Sequence, residues 1–156
     1  MPSQHVYIDT DILRFNSDRN NDLGRVARAS IAQVEKSLIN PQIKVKIPQV
    51  VLGELMIAAC QGDCDIEDIK KLLLRLNVEV WRDMPTVNSD VLFHAKDILD
   101  KNPLLGPNDA LLAAHALTDV STAWLLTTDE PLIVNRVIKE KMDSMGHRFH
   151  ISSTFH

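Results

Sequence analysis

The chain has 156 residues, of which 45% are hydrophobic and 24% are charged, and its formal net charge is -4 at pH 7. This composition excludes a disordered or collagen-like chain and predicts one folded domain over residues 1–156. The negative charge disfavours the uniformly electropositive surface of many duplex-binding proteins, and an aromatic content of only 4% disfavours a base-stacking platform.

The sequence also bears on compartment and thiol chemistry. No apolar run is long enough to span a bilayer, and the N-terminus enters a strand without a signal-peptide core, so we expect a cytoplasmic protein without a membrane partner. The two cysteines, Cys60 and Cys64, flank a Gln-Gly-Asp segment. Zinc would need two further ligands and a disulfide would suit an oxidising compartment, so we expect two reduced thiols near a helix end.

Short apolar runs alternate with longer helical patterns along the chain. This alternation predicts an α/β fold, in which helices flank a central, mostly parallel sheet of about five strands. The strands are predicted at residues 5–8, 43–47, 78–82, 122–127 and 148–152. The helices are predicted at about 23–39, 48–59, 66–76, 86–101, 109–116 and 131–142, with a short helical turn directly after the first strand.

Two of the predicted helices carry an unexpected acid. The helix after Pro48 is apolar on nearly every side, which predicts that it is buried and that Glu54 cannot simply face solvent. Further along, Asn108 is a candidate N-cap and places Asp109 in the first turn, where the helix dipole favours a negative charge.

Four acids therefore lie beside or within apolar runs: Asp9 and Asp129 at predicted strand ends, and Glu54 and Asp109 on predicted helices. An isolated buried carboxylate costs several kcal/mol or becomes protonated, so it is kept with a partner or a metal. No run of Lys or Arg is patterned to pair with the four. Ligands of an open parallel sheet collect at the C-terminal ends of its strands, and there the four acids can converge.

An all-oxygen set of ligands favours Mg²⁺ or Mn²⁺ over zinc. Without a cation, the mutual repulsion of four carboxylates would raise the pKa of at least one of them. A hard divalent ion that keeps water can supply a nucleophile for attack on phosphorus and stabilise the leaving oxygen. The residues thus indicate metal-assisted phosphodiester hydrolysis.

Ordinary structural roles are the alternatives for each of these residues. Asp9 and Asp129 could be turn acids, and the helix dipole alone accounts for Asp109, whereas Glu54 has no capping role to explain it. Asp11 is interpreted as the N-terminal charge of a short helix or as a polar neighbour of the site. Arg14 and Arg19 either contact phosphates at the mouth of the site or form a solvated helix face.

Four segments together resemble the PIN-domain ribonucleases, a family that includes the VapC-type toxins. Their order is that of the family, and they cover most of the chain: residues 6–13, 48–55, 108–116 and 126–129. Each segment alone is weakly diagnostic. The resemblance implies a PIN-like fold in which Asp9, Glu54, Asp109 and Asp129 are both catalytic and metal-binding. It also implies supporting roles for Thr10, Asn108 and Thr127.

The implied activity is Mg²⁺- or Mn²⁺-dependent cleavage of RNA, with single-stranded RNA as the expected substrate. The implied partners are an antitoxin protein and a second copy of the chain, for which the helices at residues 23–38 and 66–76 are candidate surfaces. Two departures from the family pattern stand out. Position 11 is Asp where the family often has Asn or Ser, and residues 16–22 look like an enlarged loop beside the site.

Two other functions compete with this one. A PIN-like fold could serve as an RNA-binding or scaffolding module with little catalysis, although the intact acids argue against it. Asp9-Thr10-Asp11 also resembles the nucleophile motif of haloacid dehalogenase-like phosphatases. That motif calls for Thr or Val at the position of Leu13, and it leaves Glu54 unexplained.

Overall fold

The computed structural model describes residues 2–16, 18 and 21–156. In this part of the chain, a parallel sheet contains four strands: β1 (Gln4–Ile8), β2 (Ile43–Lys46), β3 (Thr122–Leu126) and β4 (His150–Ser152). Their order is β2-β1-β3-β4. The chain leaves β1 towards one side of the sheet and later returns to form β3 on the other side. The boundary between β1 and β3 is therefore the switch point, where parallel sheets commonly bind ligands.

Helices flank this sheet, as the alternating pattern predicts. They are α1 (Thr10–Phe15), α2 (Asp22–Ser37), α3 (Gln49–Cys60), α4 (Ile66–Arg75), α5 (Val80–Asp83), α6 (Ser89–Lys101), α7 (Pro107–Thr118), α8 (Glu130–Ile133) and α9 (Arg136–Met145). The predicted α/β class is confirmed, and the single helix predicted at residues 131–142 is divided into α8 and α9. Among the described helices, none has both the length and the apolarity needed to cross a bilayer.

The strand predicted at residues 78–82 is wrong, because this segment forms the short helix α5. Asp83 ends α5 and is only 1% exposed; its carboxylate accepts a hydrogen bond from the backbone N–H of Glu79 at 3.0 Å. The Lys46 ammonium group pairs with the same carboxylate at 2.9 Å. The alternating apolar residues of this segment do not form a buried strand face, since Trp81 is 99% exposed.

The prediction that α3 is buried on all sides is also wrong. Val51, Leu55 and Ala58 are buried, but Met56 and Ile57 are 43% and 60% exposed. The helix packs against α1 and α7. Apolar residues on every side of a helix do not determine how many other elements pack against it. In α3, the side that carries Met56 and Ile57 is not covered by any described part of the chain.

The helix α7 lies against the sheet and carries one of the four acids. It begins two residues earlier than predicted, with Gly106 as its N-cap and Pro107 at its first position, so the prediction of Asn108 as N-cap is wrong. Proline suits this position because its missing N–H has no partner in the first turn. Asp109 lies in the first turn as predicted. The next turns are buried, with Ala113 fully enclosed, so α7 packs closely onto the core.

Candidate active site

The carboxyl ends of β1 and β3 bring two of the four acids to one edge of the sheet. Asp9 directly follows β1, and Thr127 and Asp129 follow β3. The two strands are hydrogen-bonded neighbours, and the backbone N–H of Asp9 continues their ladder by donating to Leu126 O at 2.9 Å. The acids therefore emerge at the switch point of the sheet, as predicted from their positions after apolar runs.

The Asp9 carboxylate is held at both oxygens. It is the N-cap of α1: Oδ1 accepts the Thr10 backbone N–H at 2.7 Å, and Oδ2 accepts the Thr127 hydroxyl at 2.7 Å. The Thr127 hydroxyl also accepts the backbone N–H of Asp129 at 3.0 Å. Asp9 is 4% exposed and Thr127 is fully buried, so these bonds are shielded from water. One threonine thus fixes Asp9 relative to the chain that carries Asp129.

A second threonine connects the site to α3. Thr10 is 6% exposed, and its hydroxyl donates to Glu54 Oε1 at 2.8 Å. Glu54 is itself half-buried. Because the backbone of Thr10 holds Asp9 while its side chain holds Glu54, this residue sets the spacing of the two acids.

The fourth predicted acid, Asp109, lies in the first turn of α7. Burial raises the pKa of its carboxyl group, and the negative charges of Asp9 and Asp129 raise it further. The charge of Glu54 acts in the same direction. Asp109 is therefore close enough to the other three predicted acids for their charges to act on its carboxyl group.

The site has an excess of negative charge. Burial raises the pKa of Asp9 to about 7, the charges of Asp11 and Glu54 contribute to the rise, and the hydrogen bonds from Thr127 and Thr10 oppose it. No ion pair between described residues includes any of the four predicted acids. A carboxylate raised this far in pKa is stabilised in its charged form by a cation.

The residues present fit a hard divalent cation. The donors are carboxylate oxygens fixed by hydroxyl and backbone groups, which is the chemistry that Mg²⁺ and Mn²⁺ prefer. In the part of the chain that the structure describes, no group of three or more His, Cys, Asp or Glu side chains is arranged so that it could hold a metal ion by itself. Mg²⁺ in enzymes usually takes one or two carboxylates together with waters and substrate oxygens, so it does not require such an arrangement.

The remaining predicted residues lie around this centre. Asn108 is exposed on the first turn of α7. Arg14 is half-buried; its Nη2 lies 3.4 Å from Asp11 Oδ1, and its guanidinium carbon lies 4.6 Å from the centroid of the Phe15 ring. Arg19 lies outside the described residues. Arg14 is thus partly engaged with its own helix.

Asp11 lies in the first turn of α1, and its charge also acts on the site. Burial raises the pKa of its carboxyl group, Arg14 opposes the rise, and the charge of Asp129 adds to it. The charge of Asp11 in turn raises the pKa of Asp9. The sequence signal was its position two residues after Asp9, but only the fold shows that Asp129 also faces it.

Comparisons with known proteins identify the family and the fold. The family model of the PIN domain matches residues 6–134. A chain in the crystal structure of VapBC2 from Rickettsia felis, bound to a DNA fragment from their promoter, is 16% identical, with 95% of this chain and 98% of that chain covered and a TM-score of 0.51. A chain in the structure of VapBC-1 from nontypeable Haemophilus influenzae is 17% identical, with 94% of this chain and 96% of that chain covered and a TM-score of 0.54. No curated protein matches the sequence. At these identities the structural matches show a shared fold.

Proposed function

This chain belongs to the PIN domain family, and we propose that it is a Mg²⁺- or Mn²⁺-dependent endoribonuclease. The observation that carries the proposal is the convergence of Asp9, Glu54, Asp109 and Asp129 in a site that holds them close in spite of their repulsion. A purely structural site would gain stability by losing some of these charges. Retaining all four is the arrangement expected if a cation and a phosphodiester occupy the site.

The four acids would hold the cation. When bound, Mg²⁺ or Mn²⁺ supplies positive charge to the phosphodiester and lowers the pKa of water. The contribution of the chain is positional: Thr127 keeps Asp9 in one orientation, and Thr10 keeps Glu54 beside it. Burial and the neighbouring acids raise the pKa of Asp109, and this carboxyl group would lose its proton as the cation binds. Asn108 would be a supporting polar group, and Arg14 would contact phosphates of the substrate.

RNA is the proposed substrate because PIN domains are generally nucleases and the four segments resemble the ribonucleases of the family. Single-stranded RNA suits a site in which the acids are only partly covered, since Glu54 and Asp129 are half-buried rather than enclosed. A flexible single strand can bring one phosphodiester to such a recess more easily than a duplex can.

The test is cleavage of end-labelled single-stranded RNA by the purified chain with Mg²⁺, Mn²⁺ or EDTA. We expect cleavage with either metal, none in EDTA, and a loss of at least about 100-fold in the Asp9→Asn and Asp109→Asn variants. Asp90→Asn is the matched control for Asp109→Asn, because Asp90 also lies in the first turn of a helix, α6, and is exposed. It should cleave at the unaltered rate.

Cleavage that persists in EDTA or in Asp9→Asn would contradict the metal-carboxylate mechanism. Tight, metal-dependent RNA binding without cleavage would instead support the alternative of a binding or scaffolding module. The phosphatase alternative predicts covalent labelling of Asp9 by a small phosphoester. Family membership and the role of Glu54 argue against it.

We also propose two protein partners. Both structural relatives come from VapBC complexes, which supports an antitoxin protein as a partner of this chain. A homodimer is the second proposal, and exposed apolar residues support it: Leu74 of α4 is 74% exposed, and Trp81 of α5 is 99% exposed. On the surface of a lone protein, such large side chains are unfavourably hydrated, and a partner would cover them.

A single domain over residues 1–156 is a further proposal. The family match ends at residue 134, but β4 adds residues 150–152 to the edge of the same sheet by pairing with β3. Trp124 of β3 and His150 of β4 stack with ring centroids 4.3 Å apart. The segment beyond the match thus packs on the same sheet.

A further inference from the structure

The end of α3 and the turn after it place three sulfur-bearing side chains around one surface pocket of about 400 Å³. Its lining residues are Met56, Ala59, Cys60, Cys64, Asp65 and Ile66. Met56 and Cys60 are one helical turn apart on α3, and side chains four residues apart on a helix are neighbours. Both cysteines of the chain belong to this pocket, and both are free thiols.

The turn after α3 brings the third sulfur back along the helix. Gly62 has a φ of 80°, a conformation that favours glycine, and the backbone N–H of Asp63 donates to Ala58 O at 2.9 Å. The chain therefore reverses at the helix end. Cys64 then directs its thiol to Leu55 O, with Sγ 3.7 Å from that oxygen. Its sulfur consequently lies beside the last two turns of α3, where Met56 and Cys60 are.

All three residues are at least partly exposed, and the charge around them suits a cation. Met56 is 43% exposed and Cys60 is exposed, so burial in the core does not account for these two residues, whereas Cys64 is partly exposed and packs against the edge of the core. Burial raises the pKa of the Cys64 thiol, Arg14 opposes this rise, and the negative charges of Asp63 and Asp65 add to it. The same two carboxylates attract a positive ion to the pocket.

We propose that Met56, Cys60 and Cys64 bind one thiophilic monovalent cation of the Cu⁺ class in a three-sulfur site. Thiolate and thioether ligands select Cu⁺ over hard ions, and a neutral thioether adds little to the binding of Mg²⁺ or Mn²⁺. Binding replaces up to two thiol protons, which pass to solvent, and no ligand or ion changes oxidation state. The site uses none of the four carboxylates of the nuclease proposal, so the two proposals stand or fall separately.

The test is an anaerobic titration of the reduced full-length protein with Cu⁺ against a coloured Cu⁺ chelator, repeated with Ag⁺ as a redox-inert probe. Native mass spectrometry should show one ion per chain. Cys60→Ser and Cys64→Ser should each lower the affinity by at least about 100-fold, and Met56→Leu by about 10-fold. Met145→Leu is the matched control, since Met145 is also a partly exposed helical methionine, at 38%, and it should bind as the unaltered protein does.

Alkylation provides a second measurement on the same protein. Bound Ag⁺ should protect both cysteines from iodoacetamide, and circular dichroism should show that the variants retain their fold. Unchanged affinity in either serine variant or in Met56→Leu would overturn the three-sulfur site. Tighter binding of Zn²⁺ than of Cu⁺ at the same cysteines would also overturn it, because it would show a borderline metal site instead.

Discussion

Thr127 shows how a single side chain organises the site. Its hydroxyl donates to Asp9 and accepts from the backbone of Asp129, two roles that a hydroxyl group can combine in this fully buried position. Each bond satisfies a group that would otherwise lie away from water. Thr10 has a comparable role between Asp9 and Glu54. The orientation of the acids therefore depends on two threonines as much as on the acids themselves.

Replacing this hydroxyl by a methyl group should impair the site while preserving its shape. We expect Thr127→Val to lower the free energy of unfolding by about 1–3 kcal/mol, because Asp9 and the Asp129 N–H lose a partner. Single-turnover RNA cleavage should fall by about 10–100-fold, and Thr127→Ser should retain most activity. Thr118→Val is the control, since among the described residues that hydroxyl bonds to carbonyl oxygens of α7 alone. A normal cleavage rate in Thr127→Val would mean that Thr127 serves packing alone.

The raised pKa values predict how stability varies with pH. The pKa of Asp9 is raised from 3.8 to about 7, and that of Asp109 is raised as well. A carboxyl group with a raised pKa in the folded state favours folding at low pH, and this contribution is lost as the pH rises through the folded value. His115 acts oppositely at lower pH, because burial lowers its pKa to about 4 and the unfolded chain takes up its proton below about 6.5. The informative window is therefore pH 6.5–8.

In EDTA, the melting temperature should fall from pH 6.5 to pH 8, and Mg²⁺ should raise it more at pH 8 than at pH 6.5. The physical reason is that the cation binds the deprotonated acids, which predominate at the higher pH. Differential scanning calorimetry measures both effects. Asp9→Asn should flatten the dependence in EDTA, and an equal Mg²⁺ effect at both pH values would argue against a carboxylate site.

At the scale of elements, a buried ion pair decides the conformation of α5. Lys46 of β2 is 9% exposed; its ammonium group donates to Asp83 at 2.9 Å and to Arg82 O at 3.1 Å. Burial would raise the pKa of Asp83, but hydrogen bonds from Arg82, the Glu79 backbone and Lys46 lower it to about 2. These bonds require a helical turn at α5, and an extended strand would separate the groups. The local β pattern of the segment is thereby overridden.

Removing one partner of this pair should be costly. Asp83→Ala leaves the Lys46 ammonium group buried without its carboxylate, so we expect the free energy of unfolding to fall by about 3–5 kcal/mol in urea denaturation. The double variant Lys46→Met, Asp83→Leu should recover most of this loss. The control is Asp100→Ala, which removes an exposed pair with Lys96 and should cost less than about 1 kcal/mol. Equal losses at the two positions would show that burial does not strengthen the Lys46 pair.

At the scale of the whole molecule, the described chain leaves large apolar side chains uncovered. Trp81 is almost fully exposed, and Leu74, Ile57 and Phe93 are more than half exposed. The four-stranded sheet and its helices enclose one continuous core beneath them. Exposed aromatic residues of this size commonly anchor protein interfaces, so they indicate where a partner would bind.

For the homodimer proposal, light scattering after size exclusion should give a mass of twice the 17.5 kDa of one chain. Trp81→Lys should shift the protein towards the monomer by placing a charge where an apolar anchor is needed. Val120→Lys is the control, because Val120 is 88% exposed and lies between α7 and β3. A monomeric mass for the unaltered chain at high concentration would contradict the proposal.

The sequence alone determined the α/β class and the order of the acids. Apolar runs of strand length predict buried strands, and parallel strands present their carboxyl ends at one edge, so Asp9 and Asp129 could be assigned to a common site before any coordinates. Thr10 and Thr127 followed from the family-like segments. Periodicity and chain order are local properties, and a sequence expresses them directly.

Only the tertiary structure decided which groups face one another. It turned residues 80–83 into a helix through a charge on a different strand, left one side of α3 uncovered, and placed the charge of Asp129 near Asp11. It also brought Cys64 back along α3. Each of these outcomes depends on a partner distant in sequence or on the path of a turn, and burial, ion pairing and pKa values arise from such contacts. A local pattern cannot encode them.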